Sequence, residues 1–175
     1  MQPDVKEKIQ SFTKNVVEKE FAEAVESKRI EEVYWVGGEP LMYEQHWKYM
    51  KRMVDIGHSN DVHARYNSNL SRIVFKNIDL FKDLLVNFKS WQMCASIDGT
   101  GEIGEWIRTG LDYKKFIENF EYGLSFANHN RNPRQMQLDF TLTTPGLFEV
   151  ENMFELSLKY NCVIISKVCF AFSPN

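Results

Sequence analysis

Two hydrophobic periods exchange along this sequence five times, helical spacing giving way to a short β-rich run, and few folds accommodate that order. Residues 4 to 28 place Val5, Ile9, Phe12, Val16, Phe21 and Val25 at steps of three to five, with Lys and Glu between them. That spacing predicts an amphipathic helix opened by Pro3 and Asp4. Val33-Tyr34-Trp35-Val36 follows as a strand ending in Gly37-Gly38. His46 to Ile56 is a second helix closed by Gly57, and Val62 to Tyr66 a second strand, ending at Asn67-Ser68-Asn69. A helix over about Ile78 to Asn87 leads into Trp91 to Ile97, which stops at Asp98-Gly99. Tyr113 to Asn128, with Phe116, Phe120, Leu124 and Ala127 on one face, passes through the Pro133 loop into Met136 to Thr144. Glu149 to Tyr160 precedes a last strand over Val168 to Phe172.

Parallel neighbours need a long return connection, and a helix supplies it, so helix-strand repetition implies an α/β fold with a parallel sheet. Periodicity alone leaves open whether the sheet curls into a partial barrel or stays open and doubly wound. In both, ligands sit at the carboxyl ends of the strands. The polar and glycine-rich punctuation falls there: Gly37 to Pro40, Asn67 to Asn69, Ser96 to Gly99 and Thr141 to Thr144. A length of 175 residues with 43% hydrophobic composition suits one domain spanning 1–175.

Several function classes are disfavoured at once. A net charge of −3 provides no basic field for collecting phosphates, so nucleic acid is not an expected partner. No apolar run approaches the roughly 20 residues of a membrane span, and the first six residues are too polar for a signal peptide, so a cytoplasmic location is expected. Cys94, Cys162 and Cys169 lack metal-binding spacing and read as reduced core thiols. The sequon Asn69-Leu70-Ser71 carries no meaning in that location. His46, His58, His63 and His129 form no i,i+4 ligand pair with a third ligand in view, and read as core or solvated residues.

Gly37-Gly38-Glu39-Pro40 after the first strand, Tyr66-Asn67-Ser68-Asn69 at the second, and Ser96-Ile97-Asp98-Gly99 followed by Arg108 at the third resemble the radical S-adenosylmethionine (SAM) superfamily, in its order. Phe140-Thr141-Leu142-Thr143-Thr144 is similar to its fourth strand, and the nearest likeness is to members with a SPASM or twitch auxiliary domain. The likeness covers about residues 30 to 172. It implies a partial (β/α) barrel of about five parallel strands lacking the first strand.

The resemblance implies that the backbone of Gly37, Gly38, Glu39 and Pro40 lies against the methionyl amino group of SAM. Ser96 and Asp98 would contact its sugar or carboxylate, Arg108 its carboxylate, and Asn67 and Thr143 would be weaker contacts. Apart from the resemblance, each has a plainer role: a tight turn at the glycines, a turn cap at Ser96 and Asp98, a surface arginine at 108. Family members hold a 4Fe-4S cluster on three cysteines spaced CxxxCxxC, take an electron from a donor, and cleave SAM to a 5'-deoxyadenosyl radical that abstracts hydrogen from a substrate, in some members a peptide. This sequence has no such triplet, so the first strand and cluster loop are expected to lie outside it and the chain alone is expected to be inactive. The competing class is a catalytically inactive α/β module for a nucleotide or phosphate, with Gly37-Gly38 as its phosphate loop. Glu39 beside those glycines opposes an anion.

Overall fold

The computed structural model describes residues 12–128 and 131–168, without the side chains of Lys14 and Asn15. The start of the first predicted helix, His129, Cys169 and nearly all of the strand expected at 168–172 lie outside the described residues.

A π-helical turn at Thr13–Val17 runs into α1 (Glu18–Glu26), which returns to β1 (Glu32–Trp35). A 3-10 turn at Pro40–Met42 leads to α2 (Glu44–Asp55) and β2 (His63–Ser68). A small hairpin, β3 (Val74–Phe75) with β4 (Ile78–Asp79), precedes β5 (Ser90–Ile97). Then come α3 (Gly101–Ile107), α4 (Tyr113–Leu124), β6 (Met136–Leu142), a 3-10 turn at Pro145–Glu149, α5 (Val150–Tyr160) and β7 (Ile164–Val168).

Three expectations change. The helix predicted over 78–87 is a π turn at Leu80–Leu84 followed by a 3-10 turn at Leu85–Asn87. Asp79 accepts hydrogen bonds from the amides of Phe81 and Lys82 and so caps the segment only at Leu80. Leu80, Phe81, Leu84 and Leu85 are buried at helical spacing, so the period was informative although the segment is too short for regular helix. Conversely, α3 was not anticipated, because its one buried residue is Gly104 and no apolar stripe marks it. Among the described residues the last strand begins at Ile164, before the expected Val168.

The main sheet runs β1-β2-β5-β6-β7, and every pairing is parallel. The order follows the chain without reversal, and crossovers of one hand then bring successive helices to the same side. The register agrees: Val33, Ala64, Trp91, Met93, Leu138 and Phe140 occupy one face and join a continuous core with Trp47, Met50, Phe81, Phe116, Phe120 and Met153 from the connecting segments. The opposite face carries Tyr34, Arg65, Asn67, Gln92, Cys94, Ser96, Gln137 and Asp139. No helix among the described residues is long and apolar enough to cross a membrane.

Candidate functional site

At the carboxyl ends of β1, β2 and β5 three chain segments meet around a cavity of about 260 Å³. Its walls are Gly37, Gly38 and Glu39 from the first segment, Asn67, Ser68 and Asn69 from the second, and Ser96 with Arg108 from the third. A neighbouring cavity of about 280 Å³ shares Asn69 and Arg108 and extends along Gly110 to Lys115. The first volume falls just under the roughly 300 Å³ at which ligand pockets begin, and the shared wall lengthens the cleft. A larger hollow of about 550 Å³ lies on the helical layer between α1, α2 and the hairpin, remote from the strand ends. The ion pairs Glu26–Arg52 and Glu44–Lys76 occupy its rim, so it reads as a surface groove.

Gly37 and Gly38 have φ of +83° and +50°, a left-handed region that glycine enters without strain. An added Cβ at either would meet nothing within 4 Å, so the turn itself, and no close packing, calls for glycine. Their amides form no backbone hydrogen bond among the described residues.

Glu39 is a strut. One oxygen accepts from the Leu41 amide at 3.1 Å and the Ser68 hydroxyl at 2.7 Å, and the other from the Asn69 amide at 2.8 Å. These bonds tie the turn after β1 to the end of β2 and shape the cleft wall. Pro40 is buried in the first turn behind them, and its missing N–H costs nothing at that position.

Arg108 closes the third side. Its Nε donates to Asp98 Oδ2 at 2.8 Å, Nη2 lies 2.8 Å from the same oxygen, and Nη1 donates to the Ser96 carbonyl at 3.1 Å. Asp98 therefore reaches the cleft only through Arg108. Its Oδ1 is buried and has no partner among the described residues. The Ser96 side chain lies on the polar face, as the register requires. Thr143 is elsewhere in role: its Oγ1 accepts from the Gly146 amide at 3.1 Å and closes the 3-10 turn after β6.

Sequence reasoning did not single out Ser68 and Asn69 as site residues, although both stand in the motif that carried Asn67. It also passed over Glu149, which is 1% exposed and accepts from both the Thr100 amide at 2.6 Å and its hydroxyl at 2.5 Å. That carboxylate secures the start of α3, and with it Arg108. No sequence signal marks it, because its partner lies far along the chain.

Among the described residues no group of three or more His, Cys, Asp or Glu could hold a metal ion. Cys94 is on β5 with its Sγ accepting from Gln137 Nε2 at 2.8 Å, and Cys162 follows α5. Burial raises both thiols, Cys162 to about 11, so neither is a ready thiolate. The described residues do not fit an iron-sulfur cluster.

No family model matches this chain, and no curated protein or solved structure is significantly similar to it.

Proposed function

We propose that the chain is the SAM-binding portion of a radical SAM enzyme, with its sheet as part of a (β/α) barrel and its cleft holding the cofactor. The observation that carries this is the meeting of segments 37–39, 67–69 and 96 with 108 in one cavity at the strand ends. Adjacent parallel strands bring these turns together, and ligands of parallel sheets bind at that end. The Gly37-Gly38 turn would lie against the methionyl amino group, and the remaining N–H groups of Arg108 suit the methionyl carboxylate. Asn69 and the adjoining cavity leave room for the nucleoside half. Asp98 does not touch the ligand in this arrangement; it holds the guanidinium in place.

The cluster is outside these residues' reach. A reductive cleavage of SAM therefore draws its iron ligands from other residues, and this chain supplies binding and orientation. Anaerobic treatment with iron and sulfide is expected to leave it with far less than stoichiometric iron, measured after desalting. A stoichiometric cluster would overturn that assignment, because the buried Cys94 and Cys162 would then have to serve as ligands.

SAM itself is expected to bind weakly, with a Kd near 1 mM, or about −4 kcal/mol. Arg108→Ala should weaken it about tenfold or more, since a hydrogen bond to a charged group is worth roughly 1.5–3 kcal/mol. A titration followed by NMR, with signals of Gly37, Gly38 and Asn69 moving, decides the matter. Unchanged affinity in the variant, or shifts confined to the helical layer, would sink the proposal. The inactive phosphate-binding alternative predicts instead that inorganic phosphate or ATP moves the Gly37 and Gly38 signals more than SAM does. The Glu39 carboxylate in the same wall argues against it.

A further inference from the structure

The sheet face opposite the helical core is polar in row after row, although parallel sheets are ordinarily apolar on both faces. Along it a chain of side-chain hydrogen bonds crosses from the first strand to the last. Tyr34 Oη donates to Asn67 Oδ1 at 2.8 Å, Asn67 Nδ2 donates to Asp139 Oδ2 at 2.7 Å, and Lys167 Nζ donates to the same oxygen at 2.7 Å. Asn67 and Asp139 are on β2 and β6, with β5 between them. Strands two apart in a flat sheet stand about 10 Å from one another, so side chains that meet across that gap are converging. Cys94 is small enough to let them pass.

At the centre of this chain Asp139 is 2% exposed, yet its Oδ1 has no partner among the described residues. Gln137, also 2% exposed and on the same face of β6, has an equally unpartnered Oε1. Both are hydrogen-bond acceptors. The other cation near them, Arg65, is occupied by Glu32 at 3.0 Å and by the Tyr34 ring at 4.8 Å. A polar network kept only to hold strands together would satisfy its buried acceptors, and two unsatisfied acceptors on one strand are a prepared place for a donor.

We infer that this face is a second binding site, for a protonated primary amine whose N–H groups are accepted by Asp139 Oδ1 and Gln137 Oε1. Two residues along a strand put the side chains about 7 Å apart at their bases, and one tetrahedral ammonium can bridge acceptors up to about 4.6 Å apart through two bonds of normal length, so the two side chains must lean together. Lys167 already shows that the carboxylate takes an ammonium, on its other oxygen. Its side chain is 53% exposed, so it is free to swing away, and while paired it competes with an incoming cation for the carboxylate. The site adjoins the cleft through Asn67, which belongs to both, but it stands whatever the cleft binds.

The test uses the whole chain, methylammonium as probe, and tetramethylammonium, which has no N–H, as control. Methylammonium should shift the Gln137 side-chain amide and the Asp139 backbone signals saturably, and tetramethylammonium should not. Lys167→Met should tighten methylammonium by threefold or more by removing the competitor. Asp139→Asn should abolish the response with the melting temperature retained. If that variant does not fold, the Lys167→Met comparison decides alone. Equal responses to the two cations, persistence in Asp139→Asn, or no tightening in Lys167→Met would each overturn the assignment.

Discussion

Gly104→Ala is expected to destabilise the fold by about 3 kcal/mol, the upper end of ordinary overpacking, and to lower the melting temperature by roughly 6–12 °C. The cause is contact and not conformation. A Cβ on Gly104 would stand 2.3 Å from the Gly99 carbonyl oxygen and 2.8 Å from its carbon, and both are backbone atoms with nowhere to go. Relief requires α3 to back away from the turn that ends β5. Arg108 caps α3, so the same movement pulls its guanidinium off Asp98 and opens the cleft. The proposed SAM binding should fall together with stability. Gly123→Ala is the informative contrast: its Cβ would come within 2.6 Å of Phe81 Cζ and 2.8 Å of Met136 Cε, which are side-chain and not backbone atoms. Its cost should be smaller, and the cleft should survive it. A Gly104→Ala protein melting within about 2 °C of the parent would refute the close approach of Gly99 and α3.

Acid should unfold the protein well before its carboxylates are exhausted, and His46 is the reason. Its ring is fully buried among Trp35, Trp47 and Tyr66, with Nε2 paired to the Tyr66 hydroxyl at 2.8 Å and Nδ1 without a partner among the described residues. Burial pushes its pKa down to about 3. An unfolded chain offers the same ring at about 6.5. Between those values the unfolded state takes up a proton that the native state refuses. Stability is thus intact above pH 6.5 and is lost as pH falls, by about 1.4 kcal/mol for each unit once the unfolded ring is charged. At pH 4.5 the loss from this one group is roughly 2.5 kcal/mol. Denaturant unfolding of the parent and of His46→Gln between pH 7 and 4.5 would show it. The variant should be less stable at neutral pH but flatter across the window, and parallel slopes would remove His46 as the cause.

Much of the fold is legible in the sequence, for a definite reason. Apolar residues at helical spacing and β-branched or aromatic runs report burial directly, and burial is what builds the layers. Strand ends were legible through glycine and asparagine, which mark positions where the backbone must turn: Gly37 and Gly38 do have positive φ. Strand order was not legible in the periods, because a singly wound and a doubly wound sheet share them. Within the cleft, Gly37, Gly38, Glu39, Asn67, Ser96 and Arg108 were chosen as a set and do line one cavity. Their separate duties were hidden. That Glu39 braces Ser68 and Asn69, or that Arg108 is held by Asp98, depends on which atoms meet after folding. The polar sheet face did leave a trace in Gln137 and Asp139, alternating with Met136 and Leu138.

The sheet's order has a consequence for how the molecule comes into being. Among the described residues each strand of this sheet pairs only with its neighbours in chain order, so none of these pairings waits for a distant segment to be synthesised. Loop closure then costs nearly the same at each addition, growing only slowly with connector length. A chain leaving the ribosome can lay down one layer on the last, with β2, β5 and β6 gaining a neighbour on each side while β1 and β7 have one among the described residues. Cooperativity is therefore graded across the width of the sheet, and opening begins at its two margins.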